Sequence, residues 1–188
     1  MKVLLKDIAT IKAGHPFRGT IKEDSEGNGF VVQVKNLNSD GKIDLEQLVQ
    51  TNVQGRRTPE WLKNGDVLFL SRGPKLTAAA VIDPPEKAVC SPHFFVIELQ
   101  NTDVLPEFLA WQLNQNDVQR YLKKSAAGSA QVSVKRGVLE NVILTIPSVK
   151  NQKNIVNLVD CVVKEKHLFA KLIQNREQQL IAIAQKIL

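Results

Sequence analysis

From Asn151 to Leu188 the chain contains neither Gly nor Pro, and apolar side chains recur in alternating steps of four and three. The series Ile155, Val159, Val162, Lys166, Phe169, Ile173, Arg176, Leu180, Ile183, Ile187 is apolar at eight of its ten places, which is the spacing of one helical face. The pattern predicts a single helix over 151–188, about 57 Å long at 1.5 Å per residue. A small domain cannot cover a stripe of that length, so the helix is expected to pack against another helix, from a second copy or from a partner. A helix folded back along its own domain has the same periodicity and stays open as the alternative.

Upstream the pattern shortens. FVVQVKNL (30–37), DVLFLSR (66–72), AAAVID (78–83), HFFVIEL (93–99) and VILTIP (142–147) are β-branched or aromatic runs bounded by Gly, Pro, Asn and Asp, the signature of strands. Asp7 is placed to cap a short helix through Lys12 that Gly14 closes. Pro106 opens a helix whose apolar positions Phe108, Leu109, Leu113, Val118, Tyr121 and Leu122 run at near-helical spacing. After a loop at 126–131, Ser133 is placed to cap a short helix reaching Glu140. Strands and helices mix without a βαβ rhythm. The expected class is α+β: a small mixed-sheet domain over 1–150, then a long coiled-coil helix over 151–188.

Composition adds a folded core, with 43% apolar residues, and a net charge of +6. The excess is spread evenly, 19 Lys/Arg against 16 Asp/Glu in 1–150 and 6 against 3 in 151–188, so it points to an anionic partner without a basic tail. Cys90 and Cys161 stand far apart with no CxxC or Cys/His spacing, which suggests neither a disulfide framework nor a zinc site. No apolar run approaches the roughly 20 residues of a membrane span, and MKVLLKD turns charged too early for a signal peptide. A soluble, cytoplasmic chain without membrane partner, cofactor or metal is expected.

Two segments imitate catalytic motifs. Asp83-Pro84-Pro85-Glu86 has the form of the Asp-Pro-Pro-aromatic motif of amino-methyltransferases, but a carboxylate stands where an aromatic ring would stack on a flipped base, and no glycine-rich cofactor loop follows a strand. Asp24 with Asp40-Gly41-Lys42 imitates a nuclease core, yet the first acid falls on a polar segment. His15, His93 and His167 have no Ser, Cys or acid at a meaningful spacing. Surface turns and a structural histidine are the readings these residues support.

Binding chemistry concentrates instead in loops and element ends, where long cations reach phosphates and guanine edges. The candidate DNA contacts are Arg18, Arg56, Arg57, Ser71, Arg72, Lys75, Gln131, Lys135 and Arg136. In GDVLFLSRGPK (65–75) a strand delivers Ser71, Arg72 and Lys75 to a Gly73-Pro74 turn. GSAQVSVKR (128–136) is small and polar with two cations at its end.

The order of these segments resembles one repeat of the type I restriction–modification specificity (S) subunit family. The matching features are an N-terminal helix before Gly14-His15-Pro16, the GDVLFLSRG strand, LPEFLAWQLN, a Gly/Ser loop, VKRGVLENVILTIPSV, and NQKNIV opening a helix that ends REQQLIAIAQKIL. Two features depart from the family: Pro147-Ser148-Val149-Lys150-Asn151-Gln152 replaces a common Pro-x-x-Glu-Gln, and one repeat stands where two are usual. The resemblance implies a half-length, non-catalytic subunit. It would read one half of a bipartite site in double-stranded DNA and pair its helix antiparallel with a second copy. It would also position a methyltransferase subunit and, through it, a restriction subunit. Its dimerisation residues would be Ile155, Val159, Val162, Phe169, Ile173, Leu180, Ile183 and Ile187. A structural adaptor that recruits a protein through the helix, its basic loops incidental, is the competing reading.

Overall fold

Strand β5 (Val67–Leu70) is buried along its whole length, because both faces of its sheet are covered. Val67 and Phe69 point into one apolar cluster and Leu68 and Leu70 into another, as the alternation of a strand requires. The computed structural model describes all residues except 39, 55–57, 74, 101, 126–132 and 188.

The four-stranded sheet has the order β2 (Ala9–Ala13), β8 (Phe94–Leu99), β5, β6 (Ala78–Ala80), antiparallel throughout. On one side lies a helical layer of α1 (Pro106–Leu113), α2 (Asn116–Ser125), α3 (Arg136–Glu140) and the start of α4 (Val149–Ile187), whose Phe108, Leu109, Leu113, Leu122 and Leu139 fill the larger cluster. On the other lies a mixed sheet, β4 (Val49–Thr51), β3 (Gly29–Val32), β7 (Ala88–Cys90), with β3 parallel to β7. Val32, Ala88 and Cys90 face the first sheet, while Val31 and Val89 face outward under Phe17, Ile21 and Trp61. Burial pushes the Cys90 thiol up to about 12, whereas Cys161 is exposed. A small ribbon, β1 (Lys2–Leu4) with β9 (Ile143–Thr145), ties the N-terminus to the segment that enters α4.

The architecture is the expected mixed-sheet domain followed by one long helix. Three expectations need correction. Residues 7–12 are not a helix: Ala9 and Ile11 point inward while Thr10 and Lys12 point outward, so the segment pairs with β8 as β2. Asp7 instead caps a 3-10 turn, Leu5–Asp7, by accepting the Leu4 N–H. The helix begun by Pro106 breaks after Leu113, because the Asn114 side chain both accepts from the Ala78 N–H and donates to the Ala78 carbonyl, each at 2.8 Å. Ser133 caps nothing; it bridges to Arg72, and Lys135 precedes α3.

Helix α4 is seated by Gln152, which is fully buried. Its Oε1 accepts from the Leu105 N–H at 2.9 Å, and its Nε2 donates to the carbonyls of Asp103 and Pro147 at 2.7 and 3.0 Å. Ile155 and Val156 then pack on the helical-side core. Farther along, Lys42 pairs with Asp160 at 2.8 Å and Asp40 with His167 at 2.9 Å; His167 thus has the acid partner that its sequence neighbours lack. From Lys164 to Ile187 every residue is exposed. Among the described residues no helix is long and apolar enough to cross a membrane.

Replacing Gln152 by Leu leaves a part-buried N–H and two carbonyls without their partner, so Gln152→Leu should lower unfolding stability by about 1–3 kcal/mol, read as a shift of the urea midpoint at unchanged slope.

Candidate nucleic-acid interface

The two loops read separately in the sequence are stitched together. At the end of β5 the Ser71 carbonyl accepts the Val134 N–H at 2.9 Å, and Arg72 bridges antiparallel to Ser133. Exposed Arg72 is thereby brought next to the segment that leads into α3, on which Lys135 and Arg136 are exposed, and Lys75 is exposed farther along its own loop. Gly73 makes the turn with a φ of 132°, a value L side chains rarely adopt. Arg136 is partly engaged, its Nε donating to Glu140 Oε1 at 2.7 Å, whereas Arg72 has no carboxylate partner among the described residues. Ser71 is buried, and its hydroxyl donates to the His93 carbonyl at 2.8 Å; it braces the strand end and presents nothing to solvent. Arg56, Arg57 and Gln131 lie outside the described residues.

Arg18 stands apart from this group, exposed on the arm that follows Gly14-His15-Pro16. Gly14 is required there, since a Cβ would meet the Ser91 carbonyl oxygen at 2.2 Å. The arm borders a cleft of about 1230 Å³ that no sequence motif signalled, lined by His15, Phe17, Trp61 and the ionic residues Lys12, Arg18, Lys22, Glu60, Lys63, Asp66 and Glu98. Lys12 bonds Glu60 at 2.9 Å and Glu98 at 3.1 Å, and Lys63 bonds Glu98 at 2.7 Å. These residues scatter over 87 positions of sequence; the β2–β8 register and the turn before β5 bring them together. Hydrogen bonds from Lys63 and then Lys12 hold the Glu98 carboxyl below its usual range, and donating to Glu60 and Glu98 raises Lys12. Burial raises Asp66, whose carboxylate accepts the Lys63 N–H at 2.8 Å. Internal pairing engages Lys12 and Lys63, which leaves Arg18 and Lys22 on the cleft, and Arg72, Lys75 and Lys135 away from it, without a carboxylate partner among the described residues.

The Asp-Pro-Pro-Glu segment is a surface turn, with Asp83 at φ 48° held by Asn64. His93 is exposed, and it is its carbonyl rather than its ring that is tied into the fold.

A family model for the type I restriction modification DNA specificity domain matches residues 1–179. Among solved structures the chain is similar to the HsdS subunit from Thermoanaerobacter tengcongensis, at 20% identity and a TM-score of 0.68, over 92% of this chain and 44% of that one. It is similar to a chain from work on complex assembly and conformational transition of the type I R-M system, at 18% identity and 0.66, over 97% and 43%. The type I restriction-modification S subunit from M. genitalium follows at 12% and 0.55, over 93% and 41%. No curated protein matches. At these identities the likeness is one of fold, and the chain spans less than half the length of each of these structures.

Because Glu98 is depressed, its ionic contribution is present above the ordinary carboxylate range and is lost as pH falls through the lower folded value. Glu98→Gln should cost less than about 1 kcal/mol at neutral pH, as befits a partly exposed network. Paired denaturation curves should converge in acid.

Proposed function

This chain belongs to the type I restriction modification DNA specificity domain family, and from that membership we propose that it reads duplex DNA for an assembly whose chemistry is done elsewhere. In this reading residues 1–150 are the target-recognition domain, and Arg72, Lys75, Lys135 and Arg136 approach the duplex, with Arg18 reaching it from its separate arm. Residues 151–188 join two copies antiparallel, so that a two-fold protein reads an interrupted, two-fold site. A separate methyltransferase subunit, and a restriction subunit through it, would act where the chain binds.

The observation that carries the assembly is the bare outer face of α4. Leu158, Val162, Phe169, Ile173, Leu180, Ile183 and Ile187 are each 41–78% exposed, a contiguous apolar stripe of the kind that marks an interaction surface. Ile155 and Val159, the first two members of the series, are half-buried at the domain end, so the stripe open to a partner begins at Leu158. Light scattering at high micromolar concentration should give a dimer, and Phe169→Asp or Ile173→Asp should give a monomer with its domain intact. A monomeric wild-type chain counts against the pairing.

Recognition is tested by mixing the chain with its methyltransferase subunit and mapping modified sites. Methylation should follow one motif, and exchanging residues 1–150 for another recognition domain should change it. Arg72→Ala should weaken duplex binding by about 1–3 kcal/mol if Arg72 meets a guanine edge, with Arg136→Ala milder because Glu140 already engages that side chain. Equal methylation without this chain would leave the adaptor reading in its place.

A further inference from the structure

Beside the Arg72 strip lies a second, smaller hollow of about 380 Å³ bordered by Phe17, Thr20, Lys35, Ser91 and His93. Its chemistry differs from that of the larger cleft. No Asp or Glu lines it among the described residues, whereas Glu60, Asp66 and Glu98 line the other. Lys35 and His93 are exposed at its rim. Ser91 is 3% exposed, and its hydroxyl is one of two buried side-chain polar atoms without a hydrogen-bond partner among the described residues.

The turn that carries Ser91 and His93 is fixed at every step. The Ser91 N–H donates to the Val32 carbonyl at 2.9 Å, the Phe94 N–H to the Ser91 carbonyl at 3.1 Å, and both the N–H and the hydroxyl of Ser71 to the His93 carbonyl. These bonds fix the backbone of the turn and leave the buried Ser91 hydroxyl unpaired, a free-energy penalty that a bound acceptor would remove. An acceptor suited to a hydroxyl, an ammonium and an imidazole, with no carboxylate to repel it, is a phosphate oxygen. We propose that this hollow is a phosphodiester-binding subsite, in which Lys35, Ser91 and His93 grip the DNA backbone next to Arg72 and fix the register in which the duplex meets the recognition loops. The subsite rests on the DNA-reading role proposed above.

Duplex binding by the full-length chain, followed by fluorescence anisotropy across salt concentrations on several unrelated sequences, tests it. Lys35→Ala should weaken every duplex alike, by about threefold to tenfold, and lower the salt slope by about one. Ser91→Ala should weaken binding several-fold while leaving the thermal midpoint unchanged or higher, since it deletes an unpaired buried hydroxyl; a structural serine would lose stability instead. His93→Gln should weaken binding with little change in salt slope. If all three variants bind like wild type while Arg72→Ala does not, the hollow lies off the DNA and the subsite is wrong although the family reading stands. Wild-type binding that ignores salt would overturn both. Loss confined to particular base pairs in Lys35→Ala would make it a base contact and overturn the phosphate assignment. Inorganic phosphate should not saturate the hollow in calorimetry; saturation with duplex affinity unchanged in the variants would make it a free-anion site and overturn the proposal.

Discussion

One buried amide joins the two parts of this molecule. Gln152 lies in the first turn of α4, yet its three hydrogen bonds go to the backbone on either side of other elements: the residues that lead into α1 and the proline that ends the run through β9. A primary amide suits the place because it accepts on one atom and donates twice from the other, which neither a carboxylate nor an aliphatic chain can do. Without it the helix would begin against three backbone groups left without this partner at a part-buried seam.

The parts of the fold that were legible in the sequence are those whose pattern is local. The run from Asn151 onward has one period and no breaker, and β5 and β8 are dense in β-branched and aromatic residues. The illegible parts are set by distant partners. Ala9-Thr10-Ile11-Lys12-Ala13 reads equally well as a first helical turn until β8 is beside it, and Val49–Thr51 and Ala88–Cys90 are too short to signal without the β3 strand that pairs with both. The break at Asn114 depends on a strand residue 36 positions earlier.

The candidate interface divides in the same way. Arg72 and Lys135 were readable as cations at element ends, but their adjacency arises from the Ser71–Val134 bond. Ser71 was placed on the right strand end and on the wrong side of it, since a polar residue in an alternating run can point inward when a carbonyl such as that of His93 waits for it. The hollow and the large cleft left no trace in the sequence because their walls come from three or more distant segments each. A cation count alone would also have overvalued Lys12 and Lys63, which spend their charge on Glu60 and Glu98.

The pairs Lys42–Asp160 and Asp40–His167 hold a single loop against α4 just where the helix leaves the domain. Beyond His167 the exposed stretch from Leu168 to Ile187 works as a lever about 30 Å long at 1.5 Å per residue. A tilt of about 5° at that fulcrum carries the tip sideways by about 2.6 Å, about half the roughly 5.4 Å pitch of a helix. Two weak surface contacts, negligible as stabilisers, thus set the aim of the whole arm, and with it which turn of a facing helix each apolar side chain meets.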